Sequence, residues 1–132
     1  MKRQVFISHS YNDIGYARKI AGKLAEVNVT AFTGSELPEG TDWINSIEES
    51  LDKSTHVVVL VSEDWEKSKW AEFELGAAYG MGKTIIPIFL TKHHGNIPKI
   101  LRDFDSIDAS EEDDNTVAKE IQKIVTGNEK GA

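Results

Sequence analysis

HVVVLV, His56 to Val61, is a continuous run dominated by β-branched residues. A strand with one wet face alternates apolar and polar side chains, so an unbroken run predicts a central strand covered on both faces. Upstream, QVFIS (Gln4–Ser8) is a second short apolar run, ending just before His9. Between them, Ile14, Ala17, Ile20, Ala21 and Leu24 recur at helical spacing within Asp13–Glu26, and VTAFT (Val29–Thr33) reads as another strand. GSELPEG (Gly34–Gly40) is punctuated as a loop, and Ile44, Ile47 and Leu51 mark the next helix.

Downstream, SKWAEFELGAAYGMGK (Ser68–Lys83) reads as a helix and TIIPIF (Thr84–Phe89) as a fourth strand. A polar loop with His93, His94, Gly95 and Pro98 leads to a short fifth strand near Phe104–Asp108. Val117, Ile121, Ile124 and Val125 mark the last helix, and GNEKGA reads as a frayed tail. Alternating strands and helices imply an α/β fold: a single domain, residues 1–126, whose five-stranded parallel sheet has helices on both faces, followed by a disordered tail at 127–132. Crossovers are expected to be right-handed. Ligands of such sheets sit at the carboxyl ends of the strands near a topological switch point, which directs attention to Ser8–Asn12, Thr33–Gly40 and Ser62–Trp70.

At 132 residues the chain is long enough to bury a core without staples. It has no cysteine, so disulfides and thiolate chemistry are excluded. No apolar run approaches the ~20 residues of a membrane span, and the N-terminus lacks the apolar core of a signal peptide, so a cytoplasmic protein is expected. A net charge of -7 disfavours nucleic acid, which needs clustered Lys and Arg. Adjacent His93 and His94, without cysteines or a helical i, i+4 pair, do not make a metal site and read as solvated.

The helix at Ser68–Lys83 sets two carboxylates, Glu72 and Glu74, just behind a tryptophan and ends in letters that look like the start of a nucleotide-binding loop. Its tail, AAYGMGKT, matches a permissive phosphate-loop pattern, but a phosphate loop leaves a strand and opens a helix, whereas here a helix leads into a strand. Gly82 reads instead as a helix stop. At about 100° per residue, Trp70, Phe73, Ala77, Ala78 and Met81 share an arc that includes Glu74, while Glu72 falls opposite, near Tyr79 and Lys83. Glu74 is thus directed toward apolar surroundings. A carboxylate placed so either has a raised pKa or faces a cavity that a ligand fills, or else sits early enough in the helix to reach water.

VFISHSYND, AFTGSELPEGTDW, VVVLVSEDWEKSKWAEFELG and IIPIF, in this order, resemble the Toll/interleukin receptor (TIR) domain in its bacterial, stand-alone form, from about Lys2 to Val125. The resemblance implies a flavodoxin-like TIR fold. The most specific piece is Ser68-x-Trp70-x-x-x-Glu74: in TIR domains that cleave NAD, the acid four residues after this tryptophan is catalytic, which falls on Glu74. The resemblance further implies NAD+ as substrate with no cofactor, nicotinamide plus ADP-ribose or a cyclic ADP-ribose signal as products, and a setting in anti-phage defence.

By the same resemblance, Trp70 walls the ribose and nicotinamide, and the loop at Thr33 and Gly34 shapes the site. Thr33 stands where many catalytic relatives carry an acid. Ser8, His9 and Ser10, at the opening of the first helix, offer amides and hydroxyls to the pyrophosphate, with His9 an additional donor. Ser68 and Trp43 complete the candidate substrate-binding set, Trp43 equally readable as an anchor for its helix. The expected partners are other copies of the domain, assembling as a homo-oligomer, and a trigger protein in trans. The alternative is a non-catalytic TIR adaptor that acts by assembly alone. A phosphoacceptor receiver is disfavoured because HVVVLVS ends in Ser62 where an aspartate is required. A nucleoside-processing transferase on a related sheet would also use a Glu near a ribose.

Overall fold

A computed structural model gives the fold and describes residues 3–33, 49–66, 69–91, 101 and 104–130; at 3, 11, 66, 69–74 and 128–130 it describes the backbone only. The chain runs β1 (Arg3–Ser8), a 3-10 turn (Tyr11–Asp13), α1 (Ile14–Glu26) and β2 (Val29–Phe32). The helical residues 49–53 follow as α2. Then come β3 (His56–Val61), α3 (Glu63–Glu66), α4 (Lys69–Gly80), β4 (Thr84–Phe89), β5 (Ile107–Asp108) and α5 (Asp114–Lys130).

All strands pair in parallel in the order β2-β1-β3-β4-β5. The chain leaves β1 toward one flank and returns to β3 on the other, so the switch point lies between β1 and β3. Every residue of β3 is buried, which is why its sequence does not alternate. Its two faces supply separate cores. Val58 and Leu60 join Val5, Ile7, Ile86 and Ile88 beneath Ala17, Ile20 and Leu24 of α1 and Val117, Ile121 and Val125 of α5. Val57, Val59 and Val61 join Phe6 and Ile85 with Leu51, Trp65, Leu75, Ala78 and Leu101 on the opposite face. Each large aliphatic side chain buried this way contributes about 1.5–3 kcal/mol before entropy is set against it.

Several boundaries differ from expectation. The fifth strand is only Ile107–Asp108, shorter than Phe104–Asp108, and it pairs with Ile88 and Phe89 alone. Because that ladder begins past Pro87, the proline interrupts no pairing toward β5. A separate helix, α3, stands between β3 and the expected helix, and α5 continues helical to Lys130. Asn28, at φ 64°, takes the left-handed conformation that short amide side chains tolerate, between α1 and β2.

Of the apolar arc expected for α4, Ala78 and Ala77 turn inward and Met81 does not, and Leu75, outside the arc, is buried as well. Leu75 and Ala78 are buried, Ala77 is half-buried, and Met81, assigned to the arc, is 42% exposed. Met81 lies beyond the last helical residue, Gly80, so helical phase no longer sets its direction. At about 100° per residue, position 74 lies about 40° from position 78, the buried Ala78.

Candidate active site

The carboxyl ends of β1, β2 and β3 open on one edge of the sheet, and the candidate residues Ser8, His9, Ser10 and Thr33 lie there. Three of them are buried: Ser8 is fully enclosed, and Ser10 and Thr33 are nearly so. Their polar groups are engaged within the protein. Ser8 Oγ accepts the indole N–H of Trp65 at 3.3 Å, and Ser10 Oγ donates to Asp13 Oδ2 at 2.8 Å. His9 stands between two carbonyl oxygens, Nδ1 2.7 Å from that of Ser10 and Nε2 3.0 Å from that of Thr33. The imidazole therefore straps the exit of β1 to the exit of β2. With both nitrogens facing carbonyl oxygens, the ring presents neither to a ligand in this conformation.

The exit of β3 is tied to the same cluster. Ser62 Oγ donates to Asp13 Oδ2 at 2.6 Å and accepts the backbone N–H of Trp65 at 3.1 Å. The second bond makes Ser62 the N-cap of α3, satisfying an amide the helix leaves open. Trp65, 1% exposed, drives its ring into the same apolar cluster as Leu75 and Ala78 of α4. Ser62 and Trp65 fall within the Ser62–Trp70 segment to which the sequence directs attention, but the sequence assigns neither them nor Asp13 a role in the site. A Ser followed by two acids, in SEDW, is a recognisable helix start, but nothing in the spacing pairs it with Asp13.

α4 carries Trp70 and Glu74 in its first half, the half nearer the exit of β3, and packs against β1 and β4. The side chains of Trp70, Glu72 and Glu74 lie outside the described residues, as do Gly34, Trp43, Ser68, His93 and His94. α4 ends where Gly82, at φ 73°, takes the left-handed conformation. The Lys83 amide donates to Ala78 O and the Gly82 amide to Tyr79 O, each at 3.1 Å, which is the paired pattern of a Schellman stop.

The opening of α1 is organised around a carboxylate. Asp13 is its N-cap residue, yet its side chain makes no bond to the helix amides and instead gathers two serine hydroxyls. That negative charge sits where an anion would otherwise be drawn by the helix terminus. Among the described residues no group of three or more His, Asp or Glu side chains could hold a metal ion, and no helix is long and apolar enough to cross a membrane.

The model of the TIR domain family matches residues 5–125. No curated protein matches the chain. The fold is similar to the TIR domain of the Toll-related receptor TRR-2 from Hydra magnipapillata, with a TM-score of 0.69 and 19% identity over 94% of this chain and 92% of that one. It is also similar to the Clostridium botulinum CMP N-glycosidase BcmB, with a TM-score of 0.64 and 14% identity over 92% of this chain and 99% of that one. A 2-desoxiribosyltransferase from Leishmania mexicana is matched with a TM-score of 0.53 and 14% identity, over 67% of this chain and 65% of that one.

Proposed function

Because the chain belongs to the TIR domain family, we propose that it is an NAD+ glycohydrolase or ADP-ribosyl cyclase that breaks the bond between nicotinamide and ribose. The observation that carries this reading is the placement of α4. It follows the exit of β3 at the switch point, beside the exit of β1, and holds Trp70 and Glu74 one helical turn apart in its first half. That edge is where open α/β sheets bind their ligands. The likeness to a CMP N-glycosidase and a 2-desoxiribosyltransferase supports it at the level of fold, since by their names both act on nucleosides or nucleotides.

Nicotinamide leaves a cationic pyridinium as a neutral molecule, so departure requires no general acid. The barrier lies in the positive charge that develops on the ribose. A carboxylate held against the sugar stabilises that charge, and this is the role of Glu74. Trp70 supplies an apolar wall beside the ribose and the base. The Asp13 carboxylate at the opening of α1 disfavours phosphate there, which weighs against the expectation that Ser8, His9 and Ser10 hold the pyrophosphate. Water arriving at the ribose gives ADP-ribose, and an adenine nitrogen gives a cyclic product. The same reading places the activity in bacterial anti-phage defence, with homotypic assembly and a trigger supplied in trans.

The test is incubation of concentrated protein with NAD+ and product identification by mass spectrometry. Nicotinamide release that is lost in Glu74→Gln supports the enzyme. Assembled protein that leaves NAD+ intact makes the domain a scaffold.

A further inference from the structure

We propose that Asp13 is a positioning residue that clamps the two sides of the switch point and thereby fixes the helix carrying Glu74. One carboxylate oxygen, Oδ2, receives the hydroxyl of Ser10 at 2.8 Å and that of Ser62 at 2.6 Å. Ser10 follows β1 and Ser62 follows β3, so the two bonds meet across the point where the chain diverges to opposite flanks of the sheet. Hydrogen bonds to an ionised acceptor are roughly twice as strong as neutral ones, and here the donor Ser10 is buried while Asp13 and Ser62 are half-buried.

The clamp extends toward α4 in two steps. With its proton directed at Asp13, Ser62 Oγ offers a lone pair to the Trp65 amide and so sets the first turn of α3. Trp65 then locks that turn from its far side, its indole N–H on Ser8 Oγ and its ring in the apolar cluster of Leu75 and Ala78. Only residues 67 and 68 separate α3 from α4. The turn bearing Asp13 itself packs against α3. A shift of Ser62 away from Asp13 therefore moves α3, and with it the start of α4, relative to the exit of β1. A displacement of about 1 Å in a reacting group can cost ~100-fold in rate.

The consequence for catalysis rests on the NAD+ reading; the clamp itself does not, and the experiment separates them. Amide hydrogen exchange is measured by mass spectrometry on wild type, Asp13→Ala, Asp13→Asn and Ser62→Ala, comparing peptides from 62–80 with peptides from 114–130. Asp13→Ala and Ser62→Ala are expected to speed exchange in 62–80 by ~10-fold while 114–130 changes by less than about 2-fold. Asp13→Asn, whose amide oxygen can accept both hydroxyls, restores exchange to within ~3-fold of wild type. Unchanged exchange in 62–80, or an equal rise in 114–130, overturns the clamp whether or not the protein turns over NAD+.

In the kinetic arm, Asp13→Ala lowers kcat ~10–100-fold with KM changed less than about 3-fold, and causes no further loss in a Glu74→Gln background. A loss that adds fully to that of Glu74→Gln overturns the positioning role. A wild type that is inert toward NAD+ overturns the catalytic half along with the NAD+ reading and leaves the exchange result to decide the clamp.

Discussion

The amide of Lys83 donates to the carbonyl oxygen of Ala78 at 3.1 Å, closing the end of α4 through Gly82 at φ 73°. A side chain at that φ is strained, while Gly76 and Gly80, within the helix, have nothing within 4 Å of the position a Cβ would take. Gly82→Ala is therefore expected to destabilise by about 1 kcal/mol. Gly76→Ala and Gly80→Ala, each removing backbone freedom from the unfolded chain, are expected to stabilise by about 0.5–1 kcal/mol. Urea unfolding of dilute protein reads the two signs. Destabilisation by all three substitutions contradicts the open space at Gly76 and Gly80.

Glu74→Gln preserves size and hydrogen-bonding reach but removes the charge. Loss of a preorganised electrostatic contact of this kind costs about 100–1,000-fold in rate. Glu72→Gln is expected to leave NAD+ cleavage within about 2-fold. The reverse order of effects would sink the assignment of Glu74.

TIR domains commonly associate with one another, and under the proposed function such contacts are expected to complete the site. NAD+ turnover is expected to rise faster than linearly with protein concentration, checked by initial rates over a hundredfold dilution series. Strictly linear rates from dilute protein would show that one domain suffices.

Tyr16 holds its hydroxyl buried without a hydrogen-bond partner, against the cluster shared by α1 and α5. Burial, and then the charge of Asp114, push its pKa up to about 12. A folded-state value above the unfolded one, near 10, means that the neutral form favours folding. Its contribution is complete below about pH 10 and is lost as pH rises from about 10 toward about 12. Tyr16→Phe, which removes the orphaned hydroxyl, is expected to equal or exceed wild-type stability at pH 7 and to lose less between pH 10 and pH 12. Urea midpoints at pH 7, 9 and 11 check this, and parallel pH profiles for the two proteins would refute it.

β3 was legible to the residue because a strand buried on both faces has an apolar requirement at every position. The stop at Gly82 was legible because a left-handed residue between a helix and a strand is chemically restricted. The orientation of α4 was legible only in part, since Ala78 of the expected arc is buried but so is Leu75 outside it. KWAEFELGAAYG is apolar or small around most of its circumference, so its sequence has no strong preferred face, and packing on β1 and β4 selected Leu75 and Ala78. The hydroxyl cluster was hidden for another reason. Ser8, Ser10, Asp13 and Ser62 are residues that also cap helices and form turns, and Asp13 meets Ser62 across 49 positions with no periodicity to announce it. The family segments contain Asp13, Ser62 and Trp65 as well as Ser68, Trp70 and Glu74, but only the Trp70–Glu74 spacing carries a stated role, so the clamp had no mark of its own.

The order β2-β1-β3-β4-β5 also sets when this edge can come into being during synthesis. Strands β1 and β2, with α1 between them, form a local unit whose residues are all available once residue 32 is free of the ribosome. The other side of β1 has no partner until β3 is complete at Val61, and α4 ends only at Gly80. At ~5–20 residues per second, the later strand and helix trail by several seconds, during which one edge of β1 stands unpaired. The nascent chain thus passes through an interval in which it exposes a sticky edge and lacks the crevice between β1 and β3. A chaperone that covers unpaired strands would find its substrate in that interval.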